Sequence, residues 1–296
     1  MLKRILFFAN PYHLTLRNGQ VILQERGTTD APKSVPIEDL GVLILEHPQS
    51  TITLPLLSAL SAHNVAVIFC AGNRMPQAML MNLDSNQTQA ESYRAQIEAS
   101  EPLKKNLWKQ IVEAKIRNQA ALLQKIGRNG DKLKPYYTNV KSGDADNREG
   151  LAAKVYWGEL FGPGFVRARE GPSPNTLLNY GYSILRAAVA RAVMGSGLFP
   201  AFGIFHRNRY NAFPLADDVM EPYRPYVDQT VYRICQEGGE ALLTKEVKGE
   251  LLRVLFTDTR FGKILRPLGT GLSFTTASLS KCFAGERKKI AYPLLE

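Results

Sequence analysis

The apolar pattern of this chain changes its period near Gln87, and that change limits what the chain can fold into. Before it, short segments alternate or run apolar as strands do. Arg4–Ala9 is a short apolar run, and Tyr12–Leu16 and Gln20–Gln24 alternate on either side of Asn18-Gly19, a strong hairpin signal because both turn residues tolerate positive φ. Gly41–Glu46 and Asn64–Cys70 are rich in β-branched residues and read as buried strands, with helical spacing over Leu54–His63 between them. After Gln87 the apolar residues recur at helical spacing. Leu103, Leu107, Ile111 and Ile126 form one stripe, with Lys104, Lys105, Lys109, Lys115 and Lys125 around the rest. The polar stretch from Gly127 to Asp146 reads as a loop. Asp146-Asn147 then caps a helix through Leu151–Trp157, and Ser173-Pro174 opens another through Leu177, Leu178, Tyr182, Leu185 and Ala188. Further helices are expected from Asp217 to Glu237, from Lys245 to Phe256 and over Thr276–Phe283. The expected class is α+β: a β-rich N-terminal domain over residues 1–86 and an all-α C-terminal domain over 87–296, with no internal repeat.

Charge follows the same division. The 296 residues carry 37 Lys+Arg against 27 Asp+Glu, a net charge of +10. Residues 1–95 hold 7 basic and 7 acidic side chains, which leaves the whole excess to residues 96–296. A neutral module joined to a basic one points to a polyanionic partner for the second; the alternative is a basic surface with no such role. With 45% apolar residues the chain can bury a core, which excludes intrinsic disorder. Cys70, Cys235 and Cys282 are odd in number and far apart, as expected of a reducing, cytoplasmic location. The apolar run after Lys3-Arg4 stops at Asn10-Pro11, too short for a signal peptide. The window Ala192–Phe205 is broken by Gly195, Gly197 and Pro200, so no membrane span is expected.

Nucleophile and nucleotide motifs are missing: there is no Gly-x-Ser-x-Gly elbow, phosphate loop, Rossmann fingerprint or Cys-x-x-Cys. One histidine, His206, falls in the basic half, followed by Arg207 and Arg209 and then by Asp217, Asp218, Glu221 and Arg224. Carboxylates at helix spacing near an imidazole suit a divalent cation working on phosphate, with the arginines gripping phosphate oxygens. The same acids in a helix's first turn also favour its dipole with no metal at all, and a lone histidine is as readily a hydrogen-bonded one. Spacing selects no third ligand.

These segments also carry a resemblance. Gly203–His206, Leu215–Asp218, Glu221-Pro222-Tyr223-Arg224-Pro225 and Val227-Asp228 resemble the CRISPR-associated integrase family, the larger protein of the universal spacer-acquisition pair. Arg148-Glu149-Gly150 with Ala153 and Tyr156-Trp157, and Asn175 to Tyr182, match it too, and the compact size looks most like the type II branch. The resemblance implies a β-rich domain followed by a helical catalytic and DNA-binding domain. It implies a Mg²⁺ or Mn²⁺ site at Glu149, His206 and Glu221, with Asp218 as the alternate or supporting acid, and phosphate contacts from Arg207, Arg209 and Arg224. The implied reaction is transesterification: 3′-hydroxyls of a short double-stranded DNA attack phosphodiesters at the CRISPR repeat, and the enzyme is also an endonuclease. The implied partners are DNA, a second copy in a homodimer through the neutral N-terminal part, and the smaller adaptation protein in a heterohexamer. Two readings stand beside it: a non-enzymatic nucleic-acid-binding scaffold, and a metal-dependent phosphoesterase of another class.

Overall fold

A computed structural model describes residues 4–80, 82, 86–238 and 242–296. The chain divides into two compact units, Met1–Ser85 and Asn86–Glu296. The first is built mainly of strands and the second mainly of helices, a mixed α+β composition.

The first unit runs β1 (Arg4–Phe8), β2 (Tyr12–Arg17), β3 (Gln20–Glu25), β4 (Lys33–Pro36), β5 (Leu40–Leu45), β6 (Thr51–Ile52), α1 (Leu54–Ala62), β7 (Ala66–Cys70) and β8 (Pro76–Leu80). Two four-stranded sheets result, in the orders β1-β5-β7-β8 and β4-β3-β2-β6. β1, β5 and β7 are parallel, with Leu6 opposite Leu43 and Leu43 opposite Val67. All six residues of β5 are buried, as its unbroken apolar run requires of an interior strand. Asn18 and Gly19 both take positive φ (50° and 70°), the turn that lets β2 and β3 pair in register. Leu14, Val21, Leu43, Leu56, Leu60 and Val67 close the core, so the α1 expected between strands packs there through Leu56 and Leu60.

The second unit is organised on a long helix. It runs α2 (Gln89–Ile97), α3 (Glu101–Lys125), α4 (Lys134–Thr138), α5 (Arg148–Phe161), α6 (Asn175–Gly195), α7 (Pro214–Met220), α8 (Arg224–Gly238), α9 (Lys245–Arg253), β9 (Asp258–Phe261), β10 (Ile264–Pro267) and α10 (Leu268–Phe283). Ser100 caps α3, its hydroxyl accepting from Leu103 N–H at 3.4 Å. α3 packs along α4, α5 and α8 and along the turn between α7 and α8, and it buries Trp108, Ile111, Val112, Ile116, Leu122 and Leu123. α6 packs against α7, α8, α9 and α10, as its largely apolar surface demands.

Four expectations are corrected. The helix expected from Asp217 to Glu237 is two helices joined by a tight turn over Glu221–Tyr223, because Pro222 and Pro225 withhold the N–H groups that would carry one helix through. The Gly127–Asp146 loop contains α4 and two tight turns, the first capped by the Asn129 side chain. Pro174 rather than Ser173 precedes α6, and it brings no side-chain cap. The second unit is also not all-α: β9 and β10 form a hairpin around Gly262 at φ 62°, with Thr259, Phe261 and Ile264 supplying β-formers.

After α10 the chain returns along α3 as a strap. Gln110 bonds the backbone of Lys288 and Ile290 at 3.0 and 2.9 Å. Asn118 donates to Pro293 C=O at 3.1 Å and accepts from Leu295 N–H at 3.0 Å. The second hydrogen of the same Asn118 amide goes to Pro222 C=O at 2.7 Å, so the strap and the α7–α8 turn share one side chain. No helix among the described residues is long and apolar enough to cross a membrane.

Candidate metal centre

Three elements of the second unit converge on the middle of α3. The first is the start of α5, which carries Glu149. Asn147, at φ 53°, accepts from Gly150 N–H at 3.2 Å, and the Asp144 carboxylate accepts from Arg148 N–H at 2.7 Å and Glu149 N–H at 3.1 Å. Three of the four otherwise unpaired N–H groups of the helix start are thereby satisfied, which fixes the first turn and the direction of Glu149.

The second is the α7–α8 turn, which carries Glu221. Its carboxylate is only 3% exposed. Oε1 lies 2.9 Å from the Arg224 guanidinium, which also stacks over the Tyr182 ring. Burial pushes the Glu221 carboxyl up, and Arg224 and Lys115 more than offset it, so it sits below the ordinary glutamate value.

The third is the loop Phe199–Phe213, which carries His206. At its base, buried Gln96 on α2 donates to the carbonyls of Phe199 and Phe202 at 2.9 and 2.8 Å and accepts from Phe199 N–H. At its tip the fully buried Asp218 accepts four bonds. They come from Ile204, Phe205 and His206 N–H at 2.5, 3.0 and 3.2 Å, and from the His206 ring Nδ1–H at 2.6 Å. Gly203 makes this closure possible, since a Cβ there would stand 2.6 Å from His206 O and 3.1 Å from Asp218 Oδ2. The Phe205 ring stacks on Trp108 at 4.2 Å, and the imidazole meets the same indole edge-on at 5.8 Å. The hydrogen bond that the ring donates to Asp218 raises the His206 pKa above its ordinary value against the opposing effect of burial.

Glu149 and Glu221 meet on one atom. Lys115 Nζ lies 2.5 Å from Glu149 Oε1 and 2.5 Å from Glu221 Oε2, and the lysine side chain is 12% exposed. His206 lies within electrostatic reach of Glu221. Among the described residues no three His, Cys, Asp or Glu side chains are gathered closely enough to hold a metal ion as they stand. Between the two carboxylates stands an ammonium, and Glu221 Oε2 meets it as an ion pair without an aligned hydrogen bond. The donor set fits a hard divalent cation: two carboxylates that already share a cationic centre, one with an oxygen lacking any hydrogen bond, and an imidazole nearby whose Nδ1–H is bound and whose Nε2 is left to ligate.

The three acids that the sequence sets at the start of one helix, 217 or 218 sharing a face with 221, separate. Asp217 pairs with Arg186 at 2.7 Å and with Asn211, pinning the loop to α6; Asp218 holds the histidine; Glu221 joins Glu149. Asp218 therefore has no oxygen left for a second role at the centre. Of the three arginines expected to grip phosphate, Arg224 is committed to Glu221 and Tyr182, because a buried carboxylate requires a partner. Arg207 is exposed and paired with Glu101, and Arg209 lies over the exposed Tyr210 ring. Sequence reasoning missed Lys115, grouped with the solvated lysines of α3. Its signal is positional: Trp108, Val112, Lys115, Gln119 and Leu122 recur at the spacing of one buried face.

Residues 6–266 match the family model described as CRISPR associated protein Cas1. The chain is 39% identical over 255 residues to a CRISPR-associated endonuclease Cas1 of Neisseria meningitidis, covering 85% of this chain and 83% of that protein. Its fold is similar to a casposase solved bound to an integration product, with a TM-score of 0.78, 20% identity, and coverage of 98% of this chain and 93% of that one. It is also similar to a chain of a Cas6–RT–Cas1–Cas2 complex, with a TM-score of 0.73, 21% identity, and coverage of 99% of this chain and 36% of that one. Matched over most of its length, and with a close relative of nearly equal extent, the chain belongs to the Cas1 family of CRISPR-associated proteins.

Proposed function

We propose that this chain is a metal-dependent DNA integrase and endonuclease of CRISPR spacer acquisition, joining 3′-hydroxyl ends of short double-stranded DNA into the CRISPR repeat by transesterification. The observation that carries the proposal is the meeting of Glu149 and Glu221 on one cationic atom, close to an imidazole already oriented by a buried carboxylate. In this reading Glu149, Glu221 and Nε2 of His206 hold Mg²⁺ or Mn²⁺. Once bound, the ion supplies the positive charge that favours a deprotonated hydroxyl nucleophile and steadies the charge growing on the phosphoryl oxygens.

The chain's own residues hold this arrangement in place. Asp218 keeps the proton on Nδ1 and so directs the lone pair of Nε2 outward. Arg224 anchors one oxygen of Glu221 and leaves the other to the Lys115 ammonium that it shares with Glu149. Trp108, 1% exposed, backs the imidazole and its loop from the side of α3. Such a transfer needs no protein nucleophile, consistent with the missing serine and cysteine motifs. Arg207, Arg209 and the exposed Tyr210 flank the histidine and would meet phosphates and bases, and the charge of the second unit would track the duplex backbone without regard to sequence. A homodimer would hold two such centres at the spacing that two strand joinings require, and the Cas1–Cas2 complexes among similar structures support the smaller adaptation protein as partner.

The test is half-site integration of a short duplex into a repeat-bearing plasmid with Mn²⁺ or Mg²⁺ and the smaller partner. Glu149→Ala, His206→Ala and Glu221→Ala should each abolish strand transfer while duplex binding survives. Unchanged transfer by His206→Ala rejects the site.

A further inference from the structure

A buried ammonium shared by the two carboxylates of a metal centre is an unusual occupant, because the same oxygens cannot serve it and a divalent ion together. Lys115 reaches them from the middle of α3, at a position on the helix's buried face, and its ammonium is 2.5 Å from each. The cations in contact with the two carboxylates are Lys115 and Arg224, and further anions stand close by, Asp218 on the His206 ring and Asp144 on the Glu149 N–H. A divalent ion entering that set brings two positive charges beside the displaced ammonium in a partly desolvated place. DNA phosphates are what would neutralise them.

We propose that Lys115 is a placeholder cation: it fills the metal position in the ion-free protein, must be displaced for the ion to enter, and by staying charged beside the loaded centre makes ion binding depend on DNA. This rests on the metal-site reading above. The device has two consequences of opposite sense. Without DNA, Lys115 competes with the ion and weakens its binding. With DNA, the displaced ammonium gains phosphate as a partner, and the ion binds tightly. By reciprocity the ion strengthens DNA binding by the same factor. Removal of the ammonium leaves one positive charge fewer beside the loaded centre, so ion affinity alone should rise and its dependence on DNA should fall. Held between two carboxylate oxygens, the competing group is an ammonium.

The experiment measures Mn²⁺ dissociation constants of the full chain by titration calorimetry and by the electron paramagnetic resonance of free Mn²⁺, with and without a short blunt duplex. Wild type, Lys115→Met, Lys115→Arg and Glu149→Gln are compared. Wild type should bind Mn²⁺ about tenfold more tightly with DNA. Lys115→Met should bind about tenfold more tightly than wild type without DNA and gain less than about threefold from it, a tenfold change being about 1.4 kcal/mol. Lys115→Arg, which keeps the charge, should retain the dependence on DNA. In chelator Lys115→Met should melt below wild type, and Mn²⁺ should raise its melting temperature more than that of wild type. If it folds only with Mn²⁺, that is the same result read through stability. Ion affinity of Lys115→Met equal to or weaker than wild type without DNA overturns the placeholder, as does an equal gain from DNA in both proteins. Glu149→Gln separates the two proposals: if it binds Mn²⁺ as wild type does, the metal site is wrong, whereas loss of binding there with no change in Lys115→Met leaves the site standing and removes the placeholder alone.

Discussion

Asp218→Asn keeps the size of the side chain and changes one oxygen to an NH₂ group, and the geometry around it leaves the amide no good orientation. Oδ2 accepts from Ile204 and Phe205 N–H, and Oδ1 from His206 N–H and the His206 ring. With the amide nitrogen at the Oδ2 position, two backbone donors of the loop face a third donor. With it at the Oδ1 position, His206 N–H loses its acceptor and the ring must present a bare Nδ1, which places the proton on Nε2 and blocks that nitrogen as a ligand. The first orientation loses two bonds to a fully buried acceptor, and the second loses one, the ring bond being remade with its donor reversed. At about 1.5–3 kcal/mol for each bond lost, the substitution should destabilise the second unit by at least about 1.5–3 kcal/mol. Urea unfolding followed by far-ultraviolet circular dichroism measures this directly. Strand transfer should fall at least about tenfold at temperatures where the variant is still folded, in line with the loss of a carboxylate that orients a metal-ligating histidine. A variant within about 1 kcal/mol of wild type that retains its activity would refute the reasoning, because it would show that Asp218 is not the acceptor on which the loop closes.

Three further substitutions test the surroundings of the centre. Asn118→Ala removes the partner of Pro222 O, Pro293 O and Leu295 N–H at once, and should cost about 2–4 kcal/mol in urea unfolding and lower the rate of strand transfer through the Glu221 turn. Asp228, buried and bonded by the hydroxyls of Tyr156 and Tyr182, has its carboxyl raised to about 6 chiefly by burial. Its folded pKa exceeds the unfolded one, so the folded state takes up the extra proton and wild type should gain stability as pH falls through about 6. Between pH 7.5 and 5 it should gain about 1 kcal/mol relative to Asp228→Asn, measured by denaturant titration at each pH; a flat difference would contradict this. Gly181→Ala places a Cβ 2.4 Å from Val227 Cγ1 where α6 crosses α8, and should cost about 1–3 kcal/mol, visible as a lower melting temperature.

The strand half was legible because its signals are local: a period of two, an Asn-Gly turn and β-branched runs act on neighbours in sequence, and the β2–β3 hairpin follows from them. The helical half was legible in its long apolar elements and less so where proline broke them, as at Pro222. The centre was harder to read. Glu149 and Glu221 lie far apart in sequence and meet only because α3 packs against both the start of α5 and the α7–α8 turn, so residue spacing alone carries no trace of the pairing, and Glu149 was found through the family resemblance. Lys115 was overlooked for a physical reason. Lysine on a helix is ordinarily solvated, and two carboxylates contributed by other elements are what reverse that preference here. Asp218 and Glu221 differ in role although they are close in sequence, because α7 ends between them at Met220 and Glu221 opens the tight turn that follows.

The stacking of Trp108 against Phe205, with the imidazole of His206 at its edge, gives the protein an internal optical signal. The chain has one other tryptophan, Trp157, which sits among Tyr156, Phe161 and Phe165 on α5 and the loop after it. Replacing Trp157 by phenylalanine leaves a single emitter whose quantum yield depends on the ring beside it and on the charge of the neighbouring histidine. Loading of the centre can then be timed in a stopped-flow instrument with no label attached.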